Sequence, residues 1–136
     1  MPRPHGTAEI PGIVHRRSAA GVGGTVARLR AAIEEAGATV FADIDQGAAA
    51  KEVGLDLRPT RLLVFGSPAA GTPVMVAVPL SALDLPLKIL VWQDDRDEVW
   101  MTYLAANWLA DRYDLPAEMA RSLNAPDTLS ERAAGG

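Results

Sequence analysis

Apolar residues at helical spacing open the clearest element of the chain: Val26, Leu29, Ile33 and Ala36 recur while Arg28, Arg30, Glu34 and Glu35 take the other face. Thr25 is placed to cap this amphipathic helix and Gly37 to stop it. "GIVHRRSA", Gly12 to Ala19, precedes it as a first strand, and the glycines of "GVGG" break the two apart. After the helix, "ATVFADI" alternates Val40, Ala42 and Ile44 against Thr39, Phe41 and Asp43, which reads as a strand. Asp45 is then an N-cap for a short helix from Gln46 to Val53, closed by Gly54.

The second half is richer in strands. "TRLLVFG" from Thr60, bounded by Pro59 and Gly66, is a continuous apolar run expected of a central strand. "SPAAGTP" reads as a loop, and Val74 to Leu83 as a short apolar element, a helix interrupted near Pro79. "PLKILVWQDD" and "EVWMTYL" form a hairpin turning at "DDRD". Helical pattern resumes from Ala105 to Arg112, breaks near Pro116, and returns towards Arg132. This order gives an α+β fold whose antiparallel sheet carries its helices on one face. On the last strand Val99, Met101 and Tyr103 share one face, Trp100, Thr102 and Leu104 the other. If the monomer packs only one of them, Trp100 and Leu104 need a dimer interface or a ligand to cover them.

Composition narrows the function classes. At 136 residues the chain is one domain, and the absence of cysteine excludes thiolate catalysis, Cys-ligated zinc and iron–sulfur clusters. A net charge of −4 argues against nucleic acid as the main partner. The apolar stretch Val74 to Trp92 contains Pro79, Asp84, Pro86 and Lys88, so it reads as core and not as a membrane span. Residues 1–11 carry three prolines and no signal-peptide core. The expectation is a loose segment 1–11, a single domain 12–136, no membrane partner and a cytoplasmic location.

The motifs "RPTRLLVFGSPAAGTPVM" and "LDLPLKILVWQDDRDEVWMTY" closely resemble the bacterial and archaeal family catalogued as domain of unknown function 302, DUF302. The resemblance runs from about Gly21 to Leu123. It implies a β-α-β(3–4)-α arrangement related to the TATA-box-binding-protein-like and helix-grip folds, and a homodimer. Members often carry a histidine where this chain has Gln46, and many have asparagines where it has Ser67 and Leu104. A strand-end histidine beside an apolar pocket suits haem or a metal; a carboxamide is a poor ligand for iron, so Gln46 argues against haem here.

Catalytic motifs are weak. Ser67 follows a strand and a glycine, but Pro68 stands where a nucleophile elbow continues towards its second glycine. His5 and His15 have no helical i, i+4 pairing for zinc, and Asp94, Asp95, Asp97 and Glu98 lack the spacing and glycine of a calcium loop. They read instead as a solvated hairpin tip, with Asp43 a solvated strand residue. The reading is a dimeric, non-catalytic domain that binds an apolar or amphipathic small molecule between the sheet and the segments Asp45–Gln46 and Ser67–Met75. Asp45, Gln46 and Ser67 would orient the guest; Phe65, Met75 and Tyr103 would enclose it. Two other classes stand beside it: a ligand-free homodimeric interaction module, and an enzyme acting through carboxylates and Tyr103. No specific cofactor is implied.

Overall fold

The computed structural model describes residues 2–135, so Met1 and Gly136, the outermost residues of the two expected segments, lie outside the described residues. The strands are β1 (Ile13–Ser18), β2 (Thr39–Asp45), β3 (Thr60–Gly66), β4 (Leu87–Gln93) and β5 (Val99–Leu104). They form one antiparallel sheet in the order β1-β5-β4-β3-β2. The helices are α1 (Val22–Glu35), α2 (Gln46–Glu52), α3 (Pro68–Ala77), α4 (Ala106–Arg112), α5 (Ala117–Ala120) and α6 (Ala125–Ala133). The α+β fold with helices on one face is thus present. β4 rather than β3 is the middle strand, although both are interior.

Alternation decides which face is core. Leu63 and Phe65 of β3, Leu87, Ile89 and Val91 of β4, and Val99, Met101 and Tyr103 of β5 are buried under Val26, Leu29 and Ile33 of α1 and Leu129 of α6. α1 starts one turn earlier than its apolar spacing suggests, with Gly21 at the cap. Thr25 lies inside the helix, fully buried; its hydroxyl donates to the Gly21 carbonyl at 2.8 Å and meets Ser18 Oγ at 2.6 Å. Gly37 stops the helix at φ +79°, with its N–H on Glu34 and that of Ala38 on Ile33.

Two stretches depart from their sequence reading. "SPAAGTP" is not a loop: Pro68 sits in the first turn of α3, where a missing N–H costs nothing, and the helix tolerates Pro73. Pro79 then begins a 3-10 turn, Pro79–Leu83, so the interruption falls where the proline predicts it. In β2 a bulge between Val40 and Ala42 switches the alternation. Val40 joins Phe65 on the helix side, whereas Ala42 and Ile44 face outward opposite Val64 and Leu62. Asp43 is therefore not solvated: turned under the helices, it pairs with Arg61 and with Arg30 at 3.4 Å.

The hairpin tip is also built differently from a solvated turn. Asp94 is 1% exposed and accepts four hydrogen bonds, from the N–H groups of His5, Arg96 and Glu98 and from the indole of Trp100. Burial pushes its carboxyl up, but those four donors outweigh burial and bring it down to about 2. The segment before β1 is tied to the same tip, since Pro4 is buried and the His5 ring meets Asp95 Oδ1 at 2.6 Å. Trp100, expected to need a dimer or ligand, is 2% exposed within the monomer.

Asp94→Asn should lower stability by about 2 kcal/mol near neutral pH, because the amide places donors against donors. The carboxylate's contribution is present above the unfolded-state value of 3.8 and is lost as pH falls through about 2. Urea unfolding at a series of pH values should therefore show the gap between wild type and variant closing over that window. A gap independent of pH would refute the assignment.

Candidate functional site

Antiparallel pairing separates the residues that the sequence groups into one pocket. Thr39 stands opposite Gly66 at one end of the β2–β3 ladder and Asp45 opposite Arg61 at the other. At the rise of an extended strand these ends are roughly 17 Å apart. Asp45–Gln46 and Ser67–Met75 thus cannot enclose the same small molecule. That part of the sequence reading is corrected by strand direction.

At the Asp45 end the chemistry is structural. Asp45 Oδ1 accepts the Ala48 N–H at 2.9 Å and caps α2, as its place in the sequence suggests. Gln46 is exposed on the first turn and is not part of the wall of the cavity at the opposite end of the ladder.

At the other end a cavity of about 170 Å³ lies between α3 and the end of β3. Its walls include Phe41, Ser67, Thr72, Met75, Pro86 and Leu123. Gly66 forms its floor, with Phe41 and Pro86 close enough to touch a β-carbon placed there. Ser67 occupies the N-cap position of α3 in an extended conformation, yet its hydroxyl makes no capping hydrogen bond. An apolar chamber with one underused hydroxyl at its mouth is the arrangement expected of a small-ligand site. Of the residues chosen from sequence, Ser67 and Met75 belong here. Phe65 is 1% exposed within the core and does not line this cavity. Phe41 was missed because the bulge that frees it from the strand alternation leaves no mark in the residue pattern. Pro86 and Leu123 were missed because each belongs to an element distant in sequence.

Tyr103 belongs to a different cluster. Its hydroxyl donates to Asp127 Oδ1 at 2.7 Å, and Arg16 reaches Ser130 Oγ at 2.9 Å and Asp127 at 3.3 Å, binding β5, β1 and α6 together. Burial, opposed by Ser130 and reinforced by Asp127, raises the phenol above its usual value. A phenol held protonated in this way is a poor general base. On the outer face, Trp92 donates to Thr102 Oγ1 at 2.8 Å, and His15 Nδ1 lies 2.9 Å from the same oxygen. Burial, helped by Arg3, lowers the His15 value and favours the neutral imidazole that can accept from Thr102.

The residues at Gln46 and around the Ser67 cavity do not fit haem. Gln46 is turned outward, neither histidine lines the cavity at Ser67, and the chamber is close in size to one that holds a single benzene ring. Among the described residues no three His, Asp or Glu side chains gather as metal ligands.

Comparison with known proteins places this geometry in context. The family model described as "Domain of unknown function DUF302" matches residues 14–129. A crystal structure of an uncharacterized conserved DUF302 protein from Bacillus stearothermophilus superposes with a TM-score of 0.81 at 20% identity, covering 91% of this chain and 99% of that one. The "Fluoride-specific ion channel FluC 1" of Brucella suis biovar 1 (strain 1330) is 41% identical over 104 residues, 76% of this chain but 41% of that protein. "Fluoride-specific ion channel FluC 2" of Brucella melitensis biotype 1 is likewise 41% identical over 104 residues, 76% of this chain and 38% of that protein. The matched part thus spans about two-fifths of those relatives.

The two helix caps give a contrast that denaturation can read. Asp45→Ala should cost about 1 kcal/mol through loss of its cap. Ser67→Ala should stay within about 0.5 kcal/mol of wild type, because its hydroxyl caps nothing. Equal losses at both positions would mean that Ser67 serves the fold.

Proposed function

The chain belongs to the DUF302 family, and from that premise we propose a non-catalytic domain that binds a small apolar or amphipathic molecule in the cavity between α3 and the end of β3. The observation that carries this reading is the pairing of an apolar chamber of about 170 Å³ with the uncapped hydroxyl of Ser67. Met75 and Phe41 supply adaptable and flat apolar walls, and Ser67 or Thr72 would orient one polar group of the guest. The size admits a guest of about one aromatic ring. We further propose that the domain works as a cytoplasmic homodimer. Support comes from the sheet face away from the helices, where Ile44, Leu62, Leu90 and Leu104 stand without a covering helix, and Ile44 is 41% exposed.

Native mass spectrometry of the freshly purified protein tests both parts. A dimer carrying extra mass supports them, and Met75→Trp, which fills the chamber, should remove that mass while leaving the dimer intact. Bare protein that also fails to bind any ring-sized apolar probe would defeat the ligand reading. A monomer at micromolar concentration would defeat the dimer.

A second reading rests on the identity to parts of proteins named as fluoride-specific ion channels. No described helix of this chain is long and apolar enough to cross a membrane. In this reading the domain accompanies a pore formed by another polypeptide or region. Liposomes loaded with fluoride and given this chain alone should then release fluoride no faster than the same loaded liposomes without protein. Fluoride-selective release by the chain would overturn it.

A further inference from the structure

The pairing of β4 with β5 stops early. Their ladder runs from Gln93↔Val99 to Leu90↔Thr102, although β4 begins at Leu87 and β5 continues to Leu104. The bond from the Asp94 N–H to the Glu98 carbonyl fixes the alternation, so the next exchange beyond Leu90↔Thr102 would fall at Lys88 and Leu104. That exchange is not completed. Backbone donors and acceptors that a continued ladder would consume therefore border the gap.

A second cavity, of about 180 Å³, occupies the same place. Leu62, Leu90 and Leu104 line it from the outer face of the sheet, and Leu87 and Leu109 from the core side. Lys88 lies at the rim, half-buried, and forms no ion pair among the described residues. Asp84, the one carboxylate on the wall, is already held by Arg112 at 3.2 Å and by the Tyr113 hydroxyl. The gap thus combines an apolar chamber, unconsumed backbone polar groups and an unmatched cation.

We propose that this gap is a binding site for a small carboxylate with an apolar, ring-sized body, distinct from the cavity at Ser67. The body fills the chamber between β4 and β5, and the Lys88 ammonium together with backbone N–H groups at the gap holds the carboxylate. A chamber of about 180 Å³ is close to the size that takes a benzene ring. The acid group gives selectivity, since a neutral analogue cannot pair with Lys88. This proposal does not rest on the Ser67 site, and the two can fail separately.

Benzoate is the probe, with benzyl alcohol as its neutral counterpart, each titrated into the full chain and followed by amide chemical shifts. The expected result is saturable binding of benzoate with a Kd on the order of 1 mM, as a ligand of this size allows. Shifts should centre on the amides of Lys88, Ile89, Leu104 and Ala105. Lys88→Met keeps the length of the stem and should weaken benzoate about tenfold while changing benzyl alcohol less than about twofold. Shifts confined to Ser67, Gly71 and Met75 would place the ligand in the other cavity and overturn the proposal. Equal benzoate affinity in the variant, or no saturable shift in wild type, would overturn it as well.

Discussion

A single buried carboxylate holds together parts of the chain that no local pattern connects. Asp94 accepts from Arg96 and Glu98 to shape the hairpin turn, from Trp100 to fix an indole on the outer face, and from His5 to anchor the N-terminal segment. Burying a charge without partners would be costly; with four donors it becomes a clasp. The β4–β5 hairpin that it closes supplies the middle strand and one of its neighbours, so sheet order and burial of Trp100 both depend on it.

From that hairpin the rest of the packing follows in layers. The inner face is apolar where α1 and α6 cover it, and its few polar groups are paired: Ser18 with Thr25, Asp43 with Arg61 and Arg30, and Tyr103 with Asp127 and Arg16. Among the described residues, no buried side-chain nitrogen or oxygen is left without a partner. Against this background the uncapped hydroxyl of Ser67 and the unmatched ammonium of Lys88 are two polar groups beside apolar cavities that make no side-chain bond in the fold.

The two helix starts at Asp45 and Ser67 show how similar local sequence can serve different ends. Each residue follows a strand and precedes a helix, in an extended backbone conformation. Asp45 gives its oxygen to the Ala48 N–H, whereas Pro68 occupies the first turn of α3 and Ser67 makes no such bond. The outcome leaves the Asp45–Gln46 end structural and gives the Ser67–Met75 end an open polar group beside an apolar chamber.

Much of the fold was legible in the residues because it is written in short-range chemistry. Helical spacing marked α1, alternation and turn residues marked the β4–β5 hairpin, Asp45 and Gly37 marked a cap and a stop, and the family resemblance carried the topology. Ser67 and Met75, which the sequence reading places around a guest, both stand on the wall of the cavity beside α3. Only the tertiary structure decided that Asp45 and Gln46 lie away from them, that Phe41 turns towards them at a bulge, and that Asp94 is a buried clasp instead of a solvated tip. The physical reason is range. Caps and periodicity act within one or two turns of chain, while the bond from His5 to Asp94 joins residues 89 positions apart and that from Arg16 to Asp127 joins residues 111 apart. Such contacts exist only once strand order and register have brought the two ends of the sequence together.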